Sequence, residues 1–166
     1  ALISKKYTPN TIIKTSPGIY KIGKNKIQDI RNFGDLSVTE VLKKSSNIGA
    51  AKIILDLNNP NVLPNLLKSL KFGEKSKLYL TGESKGYIPI NKRMGKFPLA
   101  TLAFGYGLNC NLLQLTSTYA IIANNGNLVT PRIDFNNNIN NISQNIIPEN
   151  ISKQILNMLT TVTEPG

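Results

Sequence analysis

Apolar residues recur along this chain with two different periods. From Thr11 to Ile30, in TIIKTSPGIYKIGKNKIQDI, β-branched and aromatic residues alternate with polar ones around two turn signals, Ser16-Pro17-Gly18 and Gly23-Lys24-Asn25. Alternation broken by such turns predicts extended chain with a small hairpin over residues 19–28. The period then lengthens. Ser37 followed three residues later by Glu40 is a capping-box pattern, and it opens a helix at Val38. Ile48, Ala51, Ile54 and Leu55 fall at helical spacing and predict a second helix over about residues 47–57. Between the two helices stands a polar cluster, Ser45-Ser46-Asn47, with Gly49 close behind. Hydroxyl and amide side chains compete for backbone hydrogen bonds, so such a cluster marks a helix boundary or a site.

Further on, a third helix is expected from about Asn61 through Leu70, with Gly73 as its stop. TGESKGYIP is a turn-rich loop, and NKRMGKFPLATLAFGYG reads as irregular until its apolar end. Asn111 is a good N-cap residue, after which Leu112, Leu115, Tyr119 and Ile122 predict a buried helical stripe ending at Asn124-Asn125-Gly126. NLVTPRI is expected to be a short extended piece, and residues 134–145, rich in Asn, a flexible loop. Pro148 and Glu149 open a last helix with Ile151, Ile155, Leu159 and Val162 on its inner face. Helix dominates, strand is confined to the start, and no repeat of 20 to 50 residues is present. The pattern is that of one domain or part of one.

Composition adds limits. The 166 residues are 40% hydrophobic, enough for a core of ordinary size. Lys and Arg outnumber Asp and Glu by 20 to 9, giving a formal charge of +11 and inviting a nucleic-acid reading. The lysines are scattered, however, and only Arg31, Arg93 and Arg132 carry the planar fork suited to phosphate or guanine. Lys, Asn and Ile all exceed ordinary usage and share A/T-rich codons, so base composition accounts for the charge more cheaply than a nucleic-acid ligand. The lone Cys110 excludes an intramolecular disulfide. With no histidine, the usual zinc spacings and every Ser-His-Asp or Cys-His arrangement are absent. Any nucleophilic chemistry must therefore use Lys, Tyr or a carboxylate as base. No run of 18 apolar residues is present, nor an N-terminal signal core. The start at Ala1 and the final TEPG suggest that both ends are cut.

Four segments together carry a resemblance. VTEVLKKSSNIGAAKI, TGESKGYIP, LAFGYGLNCNLLQLTSTYAIIANNGNLVTPRI and IPENISKQILNML resemble, in order and spacing, the transpeptidase domain of class B penicillin-binding proteins, most nearly the septal, FtsI-type members. The implied fold is α/β (α+β), of the penicillin-binding-protein transpeptidase and β-lactamase-like kind. This chain would supply mostly its helical subdomain, with a short N-terminal hairpin. Enzymes of this kind use three motifs: Ser-x-x-Lys for the nucleophile and its lysine base, Ser-x-Asn between two helices, and Lys-Thr-Gly or Lys-Ser-Gly across the cleft. Only the second occurs here, as Ser45-Ser46-Asn47. The resemblance implies that residues 1–166 are an internal part of the transpeptidase domain, cut between its outer motifs and inactive alone.

In that setting the Ser45 hydroxyl, donor and acceptor at once, would relay a proton between the general base and the departing amine. The Asn47 amide would donate to a carbonyl of the donor peptide or of a β-lactam side chain, while Ser46 points away. The plainer alternative is that the triplet merely caps the second helix, and the two roles are compatible. Phe104 and Tyr106 of FGYG would line the donor-binding cleft; their alternative is packing at a tight turn. Asn109, Cys110 and Asn111 depart from the family's more apolar pattern, which leaves the cleft edge open. Glu83 is expected to stabilise a turn, and Cys110 to be a small buried residue.

The implied activity of the intact protein is D,D-transpeptidation. A serine attacks the D-Ala-D-Ala end of a stem peptide, releases D-Ala and passes the acyl group to a neighbouring amine. The implied partners are peptidoglycan stem peptides, β-lactams and other division proteins, with no nucleic acid. No cofactor or metal is implied. The implied location is the inner membrane, with the catalytic domain periplasmic and no membrane segment in this chain. Rival readings are an eroded or split remnant acting at most as an assembly piece, a basic nucleic-acid-binding module, and a β-lactamase. The last lacks a recognisable general-base Glu.

Overall fold

The computed structural model describes residues 1–76, 78, 80–89, 94–133 and 144–164. The expected Asn-rich loop lies, but for Gln144 and Asn145, outside them. At the N-terminal end β1 (Ile12–Lys14) pairs antiparallel with β4 (Asp35–Ser37), Ile13 opposite Leu36. Between them β2 (Ile19–Ile22) and β3 (Asn25–Gln28) form the hairpin, Tyr20 opposite Ile27. The hairpin was legible in the alternation. The β1–β4 pair was not, because three-residue strands twenty residues apart leave no periodic signal.

Helices follow: α1 (Val38–Lys43), α2 (Asn47–Asp56), α3 (Val62–Ser69), α4 (Lys96–Leu102), α5 (Leu112–Ala123) and α6 (Glu149–Thr160), with a 3₁₀ turn at Thr161–Thr163. The α1 start is as expected. Glu40 N–H donates to Ser37 Oγ at 3.2 Å, and Ser37 N–H donates to the Glu40 carboxylate at 2.7 Å. The same reciprocal cap, Asn111 with Gln114, opens α5. α4, in a segment expected to be irregular up to its apolar end, starts at Lys96. Pro98 falls in its first turn, where a missing N–H costs nothing. The stop of α3 is Lys71 in the left-handed region (φ 68°), not Gly73. The N–H groups of Lys71 and Phe72 there return to Lys68 and Leu67 O. NLVTPRI forms only an isolated bridge, Asn127 to Asn145, and no strand.

One apolar cluster joins Ile13 and Leu36 of the strands to Val38, Val41, Leu67, Ile121, Ile151 and Met158 of the helices. A second joins Ile27, Ile48, Ala51 and Ala100, with Tyr20, Phe97 and Phe104 packed on it. The hairpin, α2 and α4 thus share one small core. The stripe expected on α5 is overturned: Leu112 is 79%, Leu115 42% and Tyr119 55% exposed, and only Ile122 packs inward. α5 is apolar nearly all round, so periodicity could not choose its inner face. A buried polar residue chooses it. Gln114 Nε2 donates to Glu74 O at 2.8 Å and Lys85 O at 2.9 Å, and Ile121, two turns on along the same face, is fully buried. On α6, Ile151 is buried and Ile155 packs on the core as expected, but Val162 is 48% exposed. It falls in the 3₁₀ turn, where the helical phase is lost. Ser152, fully buried, takes an inner position by donating to Ile122 O at 2.7 Å.

Candidate active site

The polar triplet sits where two helix ends meet without a spare residue. α1 closes by returning Ser45 N–H to Leu42 O (3.1 Å) and Ser46 N–H to Val41 O (3.0 Å). This is the paired closure that needs a left-handed residue just past the cap. That residue is Ser45, at φ 53°. Glycine is the usual occupant, because an L side chain there costs roughly 1–2 kcal/mol. A serine tolerated in that conformation directs attention to its hydroxyl, which is exposed.

Ser46 is at once the last residue of this closure and the N-cap of α2. Its Oγ accepts from Gly49 N–H at 2.9 Å and donates to the Asp29 carboxylate at 2.6 Å. It is 3% exposed and faces the body of the protein, as expected. Asn47, the first helical residue, is half-buried, and its Nδ2 donates to Gln28 O at 3.1 Å. One amide N–H is thereby engaged, and the second N–H and Oδ1 have no bond of their own among the described contacts. The capping alternative is correct for Ser46. It does not extend to the side chains of Ser45 and Asn47, neither of which caps a helix.

Phe104 and Tyr106 part company. Phe104 is half-buried against the cluster of Ile48, Ala51 and Ala100, so it touches the core just behind the triplet. Tyr106 is 73% exposed on the turn after α4, between Gly105 and Gly107, whose φ angles of 87° and 83° require glycine. Its N–H returns to Thr101 O at 3.0 Å. A surface groove lined by Lys68, Phe72, Lys85, Tyr87 and Ile88 includes none of Ser45, Asn47, Phe104 and Tyr106. Glu83 holds its loop, accepting from Ser76 N–H at 2.7 Å and Ser76 Oγ at 2.9 Å. The Ser76 backbone N–H keeps its carboxyl below the usual range. Cys110 is half-buried rather than buried, packed against the main core. Among the described residues no group of three or more His, Cys, Asp or Glu could hold a metal, and no helix is long and apolar enough to cross a membrane.

Sequence reasoning missed Asp29. Besides Ser46 Oγ its carboxylate accepts from Ile48 N–H at 3.0 Å, tying the hairpin to the first turn of α2. An acidic residue just after a strand is an ordinary sight, and nothing local links position 29 to position 46.

The family model for the penicillin-binding protein transpeptidase domain matches residues 1–166. The chain belongs to that family. It is 36% identical over 157 residues to the peptidoglycan D,D-transpeptidase FtsI of Buchnera aphidicola subsp. Schizaphis graminum, covering 95% of this chain and 27% of that protein. It is 31% identical to FtsI of Escherichia coli K12, covering 95% and 26% respectively. Among solved structures, the apo transpeptidase domain of Burkholderia pseudomallei penicillin-binding protein 3 superposes with a TM-score of 0.92 at 30% identity. That match covers 99% of this chain and 50% of the other. The chain therefore spans between 26% and 27% of these curated relatives. The mixed α/β fold expected of this family is the fold observed.

Proposed function

We propose that residues 1–166 are the middle part of a peptidoglycan D,D-transpeptidase domain of the septal, FtsI type, and that Ser45 and Asn47 assist its acylation step. The observation that carries this is Ser45 in a left-handed conformation that glycine would adopt without cost, its hydroxyl exposed beside Asn47. The 166 residues contain neither Ser-x-x-Lys nor Lys-Thr-Gly. In the intact protein the nucleophilic serine and its lysine come from outside this segment. Its attack on the D-Ala-D-Ala carbonyl of a stem peptide expels D-Ala, whose nitrogen must gain a proton as the C–N bond breaks. In this reading Ser45 Oγ passes that proton on from the general base. The free N–H of Asn47 holds a peptide carbonyl in line for attack. A β-lactam presents the same carbonyl and acylates the same serine.

Phe104 supports the wall behind Asn47, and Tyr106 offers an exposed aromatic face to the substrate. Stem peptides, β-lactams and other division proteins are the partners of this reading. The protein is anchored in the inner membrane with its catalytic domain in the periplasm. The test uses the intact enzyme and a fluorescent penicillin. Asn47→Ala should slow acylation by about tenfold or more, the equivalent of one substrate hydrogen bond of ~1.4 kcal/mol, with the melting temperature held within a few degrees. Acylation at the parental rate would refute the assignment.

A further inference from the structure

We infer that Asp29, at the exit of the β2–β3 hairpin, is a positioning residue for the Ser-x-Asn motif. The inference rests on the reading of Ser45 and Asn47 given above. Two adjacent hairpin residues grip the triplet. Gln28 O accepts from Asn47 Nδ2 at 3.1 Å, and the Asp29 carboxylate takes Ser46 Oγ on one oxygen (2.6 Å) and Ile48 N–H on the other (3.0 Å). All three consecutive residues of the start of α2 are thus bonded to the hairpin. The hairpin is itself fixed, because Ile27, one residue before Gln28, is 4% exposed and shares a core with fully buried Ile48.

The chemistry suits a carboxylate. A helix N-terminus leaves its first amide groups unpaired and carries partial positive charge, and an acceptor-only side chain satisfies both. Ser46 already serves Gly49 N–H, so Ile48 N–H is left for Asp29. The Ser46 hydroxyl proton, once Oγ has accepted from Gly49, needs an acceptor in a site only 3% exposed; Asp29 is that acceptor. Removing Asp29 would free the Ser46 hydroxyl to turn and loosen the first turn of α2. The two flanking residues, Ser45 and Asn47, would then lose their shared frame. A displacement of about 1 Å at a reacting group costs on the order of a hundredfold in rate.

The experiment is a double-mutant cycle in the intact enzyme, read as the rate of acylation by a fluorescent penicillin per folded molecule, with melting temperatures alongside. Asp29→Ala is expected to slow acylation between about tenfold and a hundredfold. Asn47→Ala should then add little in the Asp29→Ala background, because Asn47 is already misplaced. A residue that only stabilised the fold would lower the melting temperature while the folded fraction reacted at the parental rate, or its effect would multiply fully with that of Asn47→Ala. Either result overturns the inference. Should Asp29→Ala fail to fold, Asp29→Asn keeps an oxygen for Ile48 N–H but offers no second acceptor to Ser46. Slow acylation in that variant supports the inference, and the parental rate overturns it. If Asn47→Ala alone leaves acylation unchanged, the assignment of Asn47 fails and takes this inference with it. A slowed Asn47→Ala with an indifferent Asp29 refutes the inference alone.

Discussion

Replacing Gly49 by alanine sets two opposing effects against each other. Gly49 is the third residue of α2, and an alanine in a helix is favoured over glycine by about 1 kcal/mol. A methyl group at that position, however, would lie 2.5 Å from Val41 Cγ2, 2.7 Å from Val41 Cγ1 and 3.1 Å from Ser46 Oγ. Both methyls of Val41 are crowded at once, so turning its χ1 exchanges one clash for the other. Val41 cannot swing outward either, since it is 7% exposed in the main core. Forcing one extra methyl into such packing costs about 1–3 kcal/mol. The clash outweighs the propensity gain, and a net loss of about 1 kcal/mol is expected. That lowers the melting temperature of a domain of about 150–250 residues by about 2–4 °C, and by less in the larger intact domain. Val41→Ala alone also destabilises, by leaving a cavity. Combined with Gly49→Ala it should cost less than the sum, because the new methyl enters the vacated space. Thermal and urea unfolding of the intact protein measure all three variants. A Gly49→Ala variant that melts higher than the parent, or losses that add fully with Val41→Ala, would refute this account of the α1–α2 contact.

Ser45→Gly should raise the melting temperature by a few degrees, because it relieves the roughly 1–2 kcal/mol penalty of a side chain at φ 53°, while slowing acylation by fluorescent penicillin. A variant with unchanged stability and unchanged acylation would remove the idea that strain is retained there for the hydroxyl. Glu83 makes an acid-side prediction. Its carboxyl is held below the usual range, first by the Ser76 N–H, so its contribution is present above the ordinary carboxylate pKa and disappears as the pH falls through the lowered one. Melting curves from neutral to strongly acid pH should therefore show Glu83→Gln less stable than the parent at neutrality, with the gap closing in acid. A gap that stays constant across that range would show that the charge of Glu83 contributes nothing.

Helices with a strong local start were legible: Ser37 with Glu40, and Asn111 ahead of Leu112, each announced an element that the structure contains. The Ser45-Ser46-Asn47 triplet was legible as a helix boundary, because hydroxyl and amide side chains lower helix propensity, and Ser46 is the N-cap of α2. What could not be read was whatever depends on partners far along the chain. The inner face of α5 is decided by three carbonyls some thirty to forty residues earlier that converge on Gln114. Asp29 meets Ser46 across 17 residues. Lys71 and Ser45 adopt left-handed backbone in positions where glycine would have been the expected signal. In each case the local pattern was compatible with two outcomes, and tertiary contact chose between them.

The sharing of Ser46 between two helices bears on how this segment tolerates insertions and deletions. Junctions between helices ordinarily absorb a gained or lost residue, because loop length is cheap. This one has no slack: one residue completes the hydrogen bonds of α1 and begins those of α2. A single inserted residue would either break that double duty or turn α2 by about 100° about its axis. The turn would carry Ile48 out of the core and Asn47 away from Gln28. A change in length is therefore expected to cost more here than at the other connections, and the spacing from Val41 to Gly49 is as much a constraint as the identity of the residues in it.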